Sequence, residues 1–578
     1  MSESEYIFTT TKTTTAIATT TLPPTLDSIT STLSDTFVHY LNYLGKLPGG
    51  DYLLWYIKAS YKDDPIRSLF ELMLFIFGVR YFLMSKRKEN KSELVKFSQR
   101  EIDELIDDWN PTELVEPVND TEDWQLKSIP QIEGPNGPKV KLMNLTKGEN
   151  VLNFAINDFL NLSRNETIRH KAKDIISTTG VGACSAPNFY GTQEVHVRLE
   201  EDISSFMHTD NSIIYGQDFI TSTSVLPAFV KRGDLCVVDS GVNLAIQKAL
   251  VVSRCDISWY NHNDMNHLES VLKELKPGLD KQKQIQRRFI VTEGIFDNTG
   301  ELVNLPELVK LKNQYKYRVF LDETNSIGVL GDFGRGVTEH FGIDNKEIEI
   351  IVGSMAKSFG SSGGFCTGTK QMIHHQRLSS LAYVFSASLP PYSAKVTSTA
   401  IEEILHQKNG KSIIVSQLQH LISYTFKNLL THLKSSPFIE IVNDSSSPTI
   451  HLALKNEYRE SIGLPQYYGN VEFVRTGKRA KFNNELDEHY LLENFILQKI
   501  IDEVLKSKNI LLTRSKALLE HENLPIRRPR LLVLVNIGLT ENDVDSLITG
   551  FNDIINDICT SIKTPNDLTT LRNEMINY

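Results

Sequence analysis

Six short apolar runs lie between residues 212 and 353, and they constrain the fold more than any other feature. They fall at 212–215, 235–239, 257–260, 289–293, 318–322 and 348–353. Stretches with helical spacing lie between some of them, such as 267–275 and 305–315. Short buried strands alternating with helices predict an α/β domain with a mostly parallel sheet, covered on both faces. In such sheets ligands bind at the carboxyl ends of the strands. Asp322 closes one predicted strand and Lys357 follows another, so one ligand could touch both.

The stretch around that lysine reads 350-IIVGSMAKSFGSSGGFCTG-368. An apolar run enters it, one lysine stands in the middle, and Gly360, Gly363, Gly364 and Gly368 follow in a predicted loop. A single amine at a strand end, ringed by small residues, suits a group that meets a planar cofactor. The chemistry this suggests is a Schiff base between Lys357 and pyridoxal phosphate. Burial or nearby cations would have to lower the lysine pKa for that role. The plainer reading is a glycine-rich turn with a solvated lysine. The stretch is not a nucleotide-binding P-loop, whose glycines precede its lysine.

A chain of 578 residues, 40% hydrophobic and 23% charged, has room for two or three domains with a sizeable core. Its net charge of −10 argues against a general nucleic-acid binder. Cys184, Cys236, Cys255, Cys366 and Cys559 show no metal-binding spacing and read as reduced thiols.

Upstream, residues 1–36 are rich in Thr and Ser and too poor in apolar residues to fold. Residues 37–88 read as a membrane-anchoring segment. Its aromatic cluster (Tyr40, Tyr43, Tyr52, Trp55, Tyr56) suits a membrane–water interface or a partner. The run 66-IRSLFELMLFIFGVRYFLM-84 approaches the roughly 20 residues of a spanning helix. Arg67, Glu71 and Arg80 weaken it, which leaves an interfacial or a soluble helix as alternatives. Lys86, Arg87 and Lys88 would place the following domain in the cytosol. Polar, acidic residues 89–150 read as a neck, 151–390 as the large domain, and 391–578 as a smaller α+β domain. In the latter, a helical pattern runs over 393–434, strands over 438–442, 449–454 and 530–535, and helices over 491–506 and 541–558, before a polar tail. A polar insertion at 456–488 carries Arg475, Lys478, Arg479 and Lys481 and reads as a solvated loop.

Several stretches together carry a resemblance: 152-LNFAINDFL-160, 180-GVGACSAPNFYGTQEVHVRLE-200, 321-LDETNSIGVLGDFGRGVTEH-340, 353-GSMAKSFGSSGGF-365 and 385-FSASLPP-391. In order and spacing the chain resembles the α-oxoamine synthase family of fold-type I pyridoxal phosphate-dependent transferases over about residues 150–560. The stretches 239-DSGVNLAIQK-248, 260-YNHNDM-265 and 374-HHQRLS-379, with Cys184, make it most similar to the first long-chain-base branch of the serine palmitoyltransferases. The resemblance implies a large domain with a mostly parallel sheet, a small C-terminal domain and an N-terminal membrane helix. It places Lys357 at the Schiff-base position and Asp322 at the partner of the pyridine nitrogen.

The same resemblance exposes three departures. Asn325 stands where the family has a histidine near the cofactor, and Asn243 lies nearest the place of the ring-stacking histidine. Asp218-Phe219 replaces the Gly-Phe turn that leads into the phosphate-binding helix, and an aspartate there would repel the phosphate. Arg527, Arg528 and Arg530 all lie near the expected place of the substrate-carboxylate arginine. The reading implied is a degenerate subunit of the endoplasmic reticulum membrane. It would form a heterodimer with the catalytic second subunit of serine palmitoyltransferase, which would bind the pyridoxal 5'-phosphate. The complex would condense L-serine with palmitoyl-CoA to 3-ketodihydrosphingosine, the first step of sphingolipid synthesis, with Cys184 facing the partner's active site. Small regulatory membrane subunits would be compatible. A self-sufficient synthase using Lys357, or a membrane scaffold outside the reaction, remain the alternatives.

Overall fold

The computed structural model describes residues 43, 46, 48–89, 98–109, 114, 120–143, 150–281, 286–469, 487–517, 524 and 526–578. The expected Thr/Ser-rich tail and the cations Arg475, Lys478, Arg479 and Lys481 lie outside them. Two units separate in the chain, Met1–Glu116 and Pro117–Tyr578.

In the first unit, helices form at Gly50–Asp63, Pro65–Glu89 and Gln99–Asp107. The second covers the expected 66–84 and leaves Leu69, Phe70, Phe75, Phe77 and Phe82 exposed. Arg67 pairs with Glu71 at 3.0 Å, one turn along. Among the described residues no helix is long and apolar enough to cross a membrane. The expected span is therefore not found, because Arg67, Glu71 and Arg80 break the apolar run.

The second unit is organised by a seven-stranded sheet. Its strands in chain order are β1 (Asn211–Tyr215), β2 (Leu235–Asp239), β3 (Asp256–Tyr260), β4 (Arg288–Glu293), β5 (Arg318–Asp322), β6 (Ile350–Ser354) and β7 (Gly364–Gly368). They lie side by side as β1-β7-β6-β5-β4-β2-β3. All pairings are parallel except those of β7, which runs antiparallel to both neighbours. β2, β6 and β7 are buried along their whole length. One apolar cluster contains Val225 and Leu226 of helix α1 (Phe219–Phe229) and Ile246 and Leu250 of helix α2 (Leu244–Ser253). The larger cluster joins the sheet's other face to the C-terminal region.

Strand β7 corrects the expected loop after Lys357. Glycine discourages a strand assignment, yet here it permits close approach. A Cβ at Gly364 would stand 2.3 Å from the Thr221 hydroxyl, and one at Gly353 would stand 2.6 Å from the Phe365 ring.

The C-terminal half holds a second, antiparallel sheet of β8 (Ile439–Ile441), β9 (Thr449–Leu454), β10 (Thr513–Arg514) and β11 (Leu531–Leu534), ordered β8-β9-β11-β10. The helical pattern over 393–434 is two helices, Pro391–Ile404 and Ile413–Leu433. An Asn409-Gly410 turn with positive φ at both residues separates them. The pattern over 541–558 likewise breaks at left-handed Gly550. The tail is a helix, Pro565–Ile576, that buries Leu568, Leu571 and Met575. Part of the expected neck also folds in: Trp124 is buried edge-on against Phe495, with the Arg514 guanidinium 4.6 Å from its ring.

Candidate active site

Four strands deliver acids or lysine to one end of the sheet. Glu293 and Asp322 end β4 and β5 and face each other in register. Asp218 precedes α1, Asp297 follows β4, and Lys357 follows β6. A cavity of about 180 Å³ collects Asp218, Ser222, Asn243, Asp297, Asp322 and Asn325 around Lys357. It is smaller than the roughly 300–1,000 Å³ of common small-molecule sites.

The lysine amine is engaged by this chain's own side chains. It donates to Asn325 Oδ1 at 2.6 Å and to Asp297 Oδ1 at 3.1 Å. Asn325 Nδ2 donates to the same Asp297 oxygen at 3.0 Å, closing a three-membered network. Burial lowers the Lys357 pKa, but Asp297, Asp218 and Asp322 together raise it above the ordinary lysine value. The Lys357 charge in turn holds the Asp297 carboxyl below its usual range.

Asp322 is buried and accepts from Ser222 Oγ (3.2 Å), the Thr324 N–H (2.9 Å) and Asn243 Nδ2 (3.5 Å). Burial pushes its pKa up against those bonds. Asn243 also caps α2, its Oδ1 accepting from the Ile246 N–H at 3.0 Å. Burial raises Glu293 well above the ordinary range, with Asp322 and Asp297 adding repulsion. Asp218 is pushed up to about 6, chiefly by burial, with Lys357 opposing and Asp322 reinforcing.

Asp322 could meet a protonated pyridine nitrogen, so that half of a pyridoxal phosphate site fits. The other half does not. The amine is committed to Asn325 and Asp297, and Asp218 stands at the start of α1, where a phosphate would need bare N–H groups. Asn243 presents an amide to Asp322 in place of a ring.

The structure thus brings Lys357, Asp322 and Asn325 together, and Cys184 lies elsewhere. That cysteine is exposed in a left-handed conformation (φ 57°), its Sγ 3.6 Å from the Gly182 carbonyl. Exposed Val181, Phe189, Tyr190 and Phe385 surround the segment, the two phenylalanines stacked at 6.3 Å. Arg527 and Arg528 line a separate small cavity with Ser240 and Asn298. Arg530 donates to the Thr299 carbonyl at 3.1 Å. Sequence reading missed Glu293 and Asp297. The strand-end rule that selects Asp322 also selects Glu293, whereas Asp297 meets Lys357 only through the fold.

A family model, aminotransferase class I and II, matches residues 149–437. Serine palmitoyltransferase 1 of Saccharomyces cerevisiae is 41% identical over 525 residues, covering 89% of this chain and 93% of that protein. Serine palmitoyltransferase 1 of Dictyostelium discoideum is 34% identical, covering 82% and 92%. Long chain base biosynthesis protein 1 of Arabidopsis thaliana is 37% identical, covering 64% and 76%. Among solved structures, a serine palmitoyltransferase of S. paucimobilis, bound to a PLP–myriocin aldimine, superposes with a TM-score of 0.60 at 16% identity. It covers 76% of this chain and 96% of that one.

Proposed function

The chain belongs to the serine palmitoyltransferase 1 family and has the fold of pyridoxal phosphate-dependent class I and II aminotransferases, and from that premise we propose that it is the non-catalytic half of a heterodimer. The enzyme works as a complex in sphingolipid synthesis, joining serine to palmitoyl-CoA. Pyridoxal phosphate, bound by the catalytic second subunit, supplies the electron sink for that condensation. This chain supports its partner through the face around Cys184, where exposed Phe189, Tyr190 and Phe385 offer apolar contact. The exposed apolar surface of the Pro65–Glu89 helix attaches the chain to the endoplasmic reticulum membrane, where the acyl donor and the product partition.

One observation carries the non-catalytic reading: the Lys357 amine donates to Asn325 and Asp297, while Asp218 stands at the start of α1, where a cofactor phosphate would need bare N–H groups. The test is co-expression with the catalytic subunit, wild type against Lys357→Ala, scored by condensation of serine with palmitoyl-CoA. The variant complex should retain activity, and borohydride reduction of the wild-type complex should leave no pyridoxyl group on Lys357. Loss of activity together with a pyridoxyl-lysine at 357 would make this chain a catalyst in its own right.

A further inference from the structure

The opposite end of the same sheet holds a larger, open cavity of about 440 Å³. It collects strand beginnings: Phe289 of β4, Arg318 of β5 and Ile350 of β6. The last residue of antiparallel β7, Gly368, and the first turn of helix α3 (Lys370–Ser379) complete it. Its volume lies within the range of small-molecule sites.

Its floor is apolar. Phe289, Ile348 and Ile350 are buried there, with half-buried Phe229 and Met372 beside them. The His375 ring leans on Phe229 at 5.2 Å, and its Nε2 is occupied by the Ala228 carbonyl at 2.9 Å.

The rim is cationic. Arg287 is already committed, donating to the Phe229 carbonyl at 2.6 Å near Asp234. Glu349 is committed as well: one oxygen accepts from Lys312 and the other from the Val319 N–H, both at 2.8 Å. Arg318 and Lys346 are exposed on the rim and form no ion pair with any described residue. Exposed Asp210 is the remaining acid there.

We propose that this cavity binds a single-chain anionic amphiphile, its carboxylate or phosphate head on Arg318 and Lys346 and its hydrocarbon chain over Phe229, Phe289, Ile350 and Met372. Two free cations above an apolar floor match a molecule with one charged end, because the head finds charge-assisted bonds while the tail leaves water. A hydrophilic polyanion would forgo the floor, and a cationic amphiphile would meet repulsion at the rim.

The test is photolabelling of the full chain, co-purified with its catalytic subunit in lipid nanodiscs. The probe is decanoate carrying a terminal diazirine, followed by peptide mapping. Labelling is expected on peptides carrying Phe229 and Met372. Unlabelled decanoate or decyl phosphate should compete, the stronger of the two identifying the head group, and decyltrimethylammonium and ATP should not. Arg318→Ser with Lys346→Ser should reduce labelling about tenfold or more, because the head group loses both of its charge-assisted bonds. Both positions are on the surface, and unchanged condensation activity would show that the variant folds. Met372→Trp, which narrows the space over the apolar floor, should weaken labelling. Labelling confined to other peptides, equal competition by decyltrimethylammonium or ATP, or full labelling of the double variant would overturn the proposal.

Discussion

Two ionic clusters in the second unit differ in burial and in the balance of charge: Arg459 and Glu493 are buried, whereas Lys357 is half-buried and Asp297 exposed. Around Arg459 the account closes. Its guanidinium donates to both oxygens of Glu493, at 2.9 and 3.0 Å, and to the Pro465 carbonyl at 2.8 Å. The Tyr468 hydroxyl also donates to Glu493, and its ring lies 5.5 Å from the guanidinium. Around Lys357 one cation faces Asp218, Asp297 and Asp322, with Glu293 beside the last two. A purely structural pair has no reason to gather surplus acids. Asp322 stands where a pyridinium would meet it, but Asp218 would repel a phosphate, so that cofactor accounts for only part of the surplus.

The largest effect should come from breaking the closed pair. Glu493→Ala leaves a buried guanidinium without its carboxylate, which costs roughly 3–5 kcal/mol in comparable cases. Arg459→Ala leaves the matching carboxylate. Either variant should lower the denaturation midpoint of the purified complex sharply. A change within about 0.5 kcal/mol, the range of ordinary surface substitutions, would mean that this pair is not closed as described.

Lys357→Met should cost less, about 1 kcal/mol, because of its two partners only Asn325 is buried, and water can replace the bond lost by exposed Asp297. Neighbouring acids can take up a proton when the ammonium goes, and Asp297 then retains its bond from Asn325. Pairing the change with Asp297→Asn tests whether the two act through each other. The double variant should be less destabilised than the sum of the singles, and simple additivity would show that the pair contributes nothing of its own.

This contrast shows why some of the molecule was readable in advance. The run at 318–322 and the helix at 305–315 appear with the expected bounds, because apolar period and turn residues are local information. Asp322 was found by the same logic, as a polar residue closing a buried strand. β7 was hidden, since its glycines serve an approach between strands that only the assembled sheet reveals. Asp297 was hidden for a related reason: its contact with Lys357 spans sixty residues of chain. The cationic cavity was equally out of reach, because Arg318 and Lys346 are unremarkable surface residues until β5 and the segment before β6 set them on one rim.

The smallest effect is the one that isolates the surplus acid. Asp218 is raised from 3.8 to about 6, and Glu323, buried beneath the site, from 4.5 to about 7. A carboxyl with a folded pKa above its unfolded one binds its proton more tightly when folded. Its contribution to stability is complete below the unfolded value and is lost as pH rises through the folded value. Between about pH 4 and about pH 7 both groups therefore favour the acidic end. Asp218→Asn removes one of them and should flatten the denaturation midpoint against pH between about 4 and 6. Glu323 would still act up to about 7. The variant also removes a negative charge from the start of α1, so inorganic phosphate should protect it slightly more than wild type, an effect of about 0.3–1 kcal/mol for a helix N-terminus. Parallel pH profiles for the two proteins would mean that Asp218 is ionised throughout. The charge surplus that separates this site from the Arg459 pair would then be shared differently among its acids.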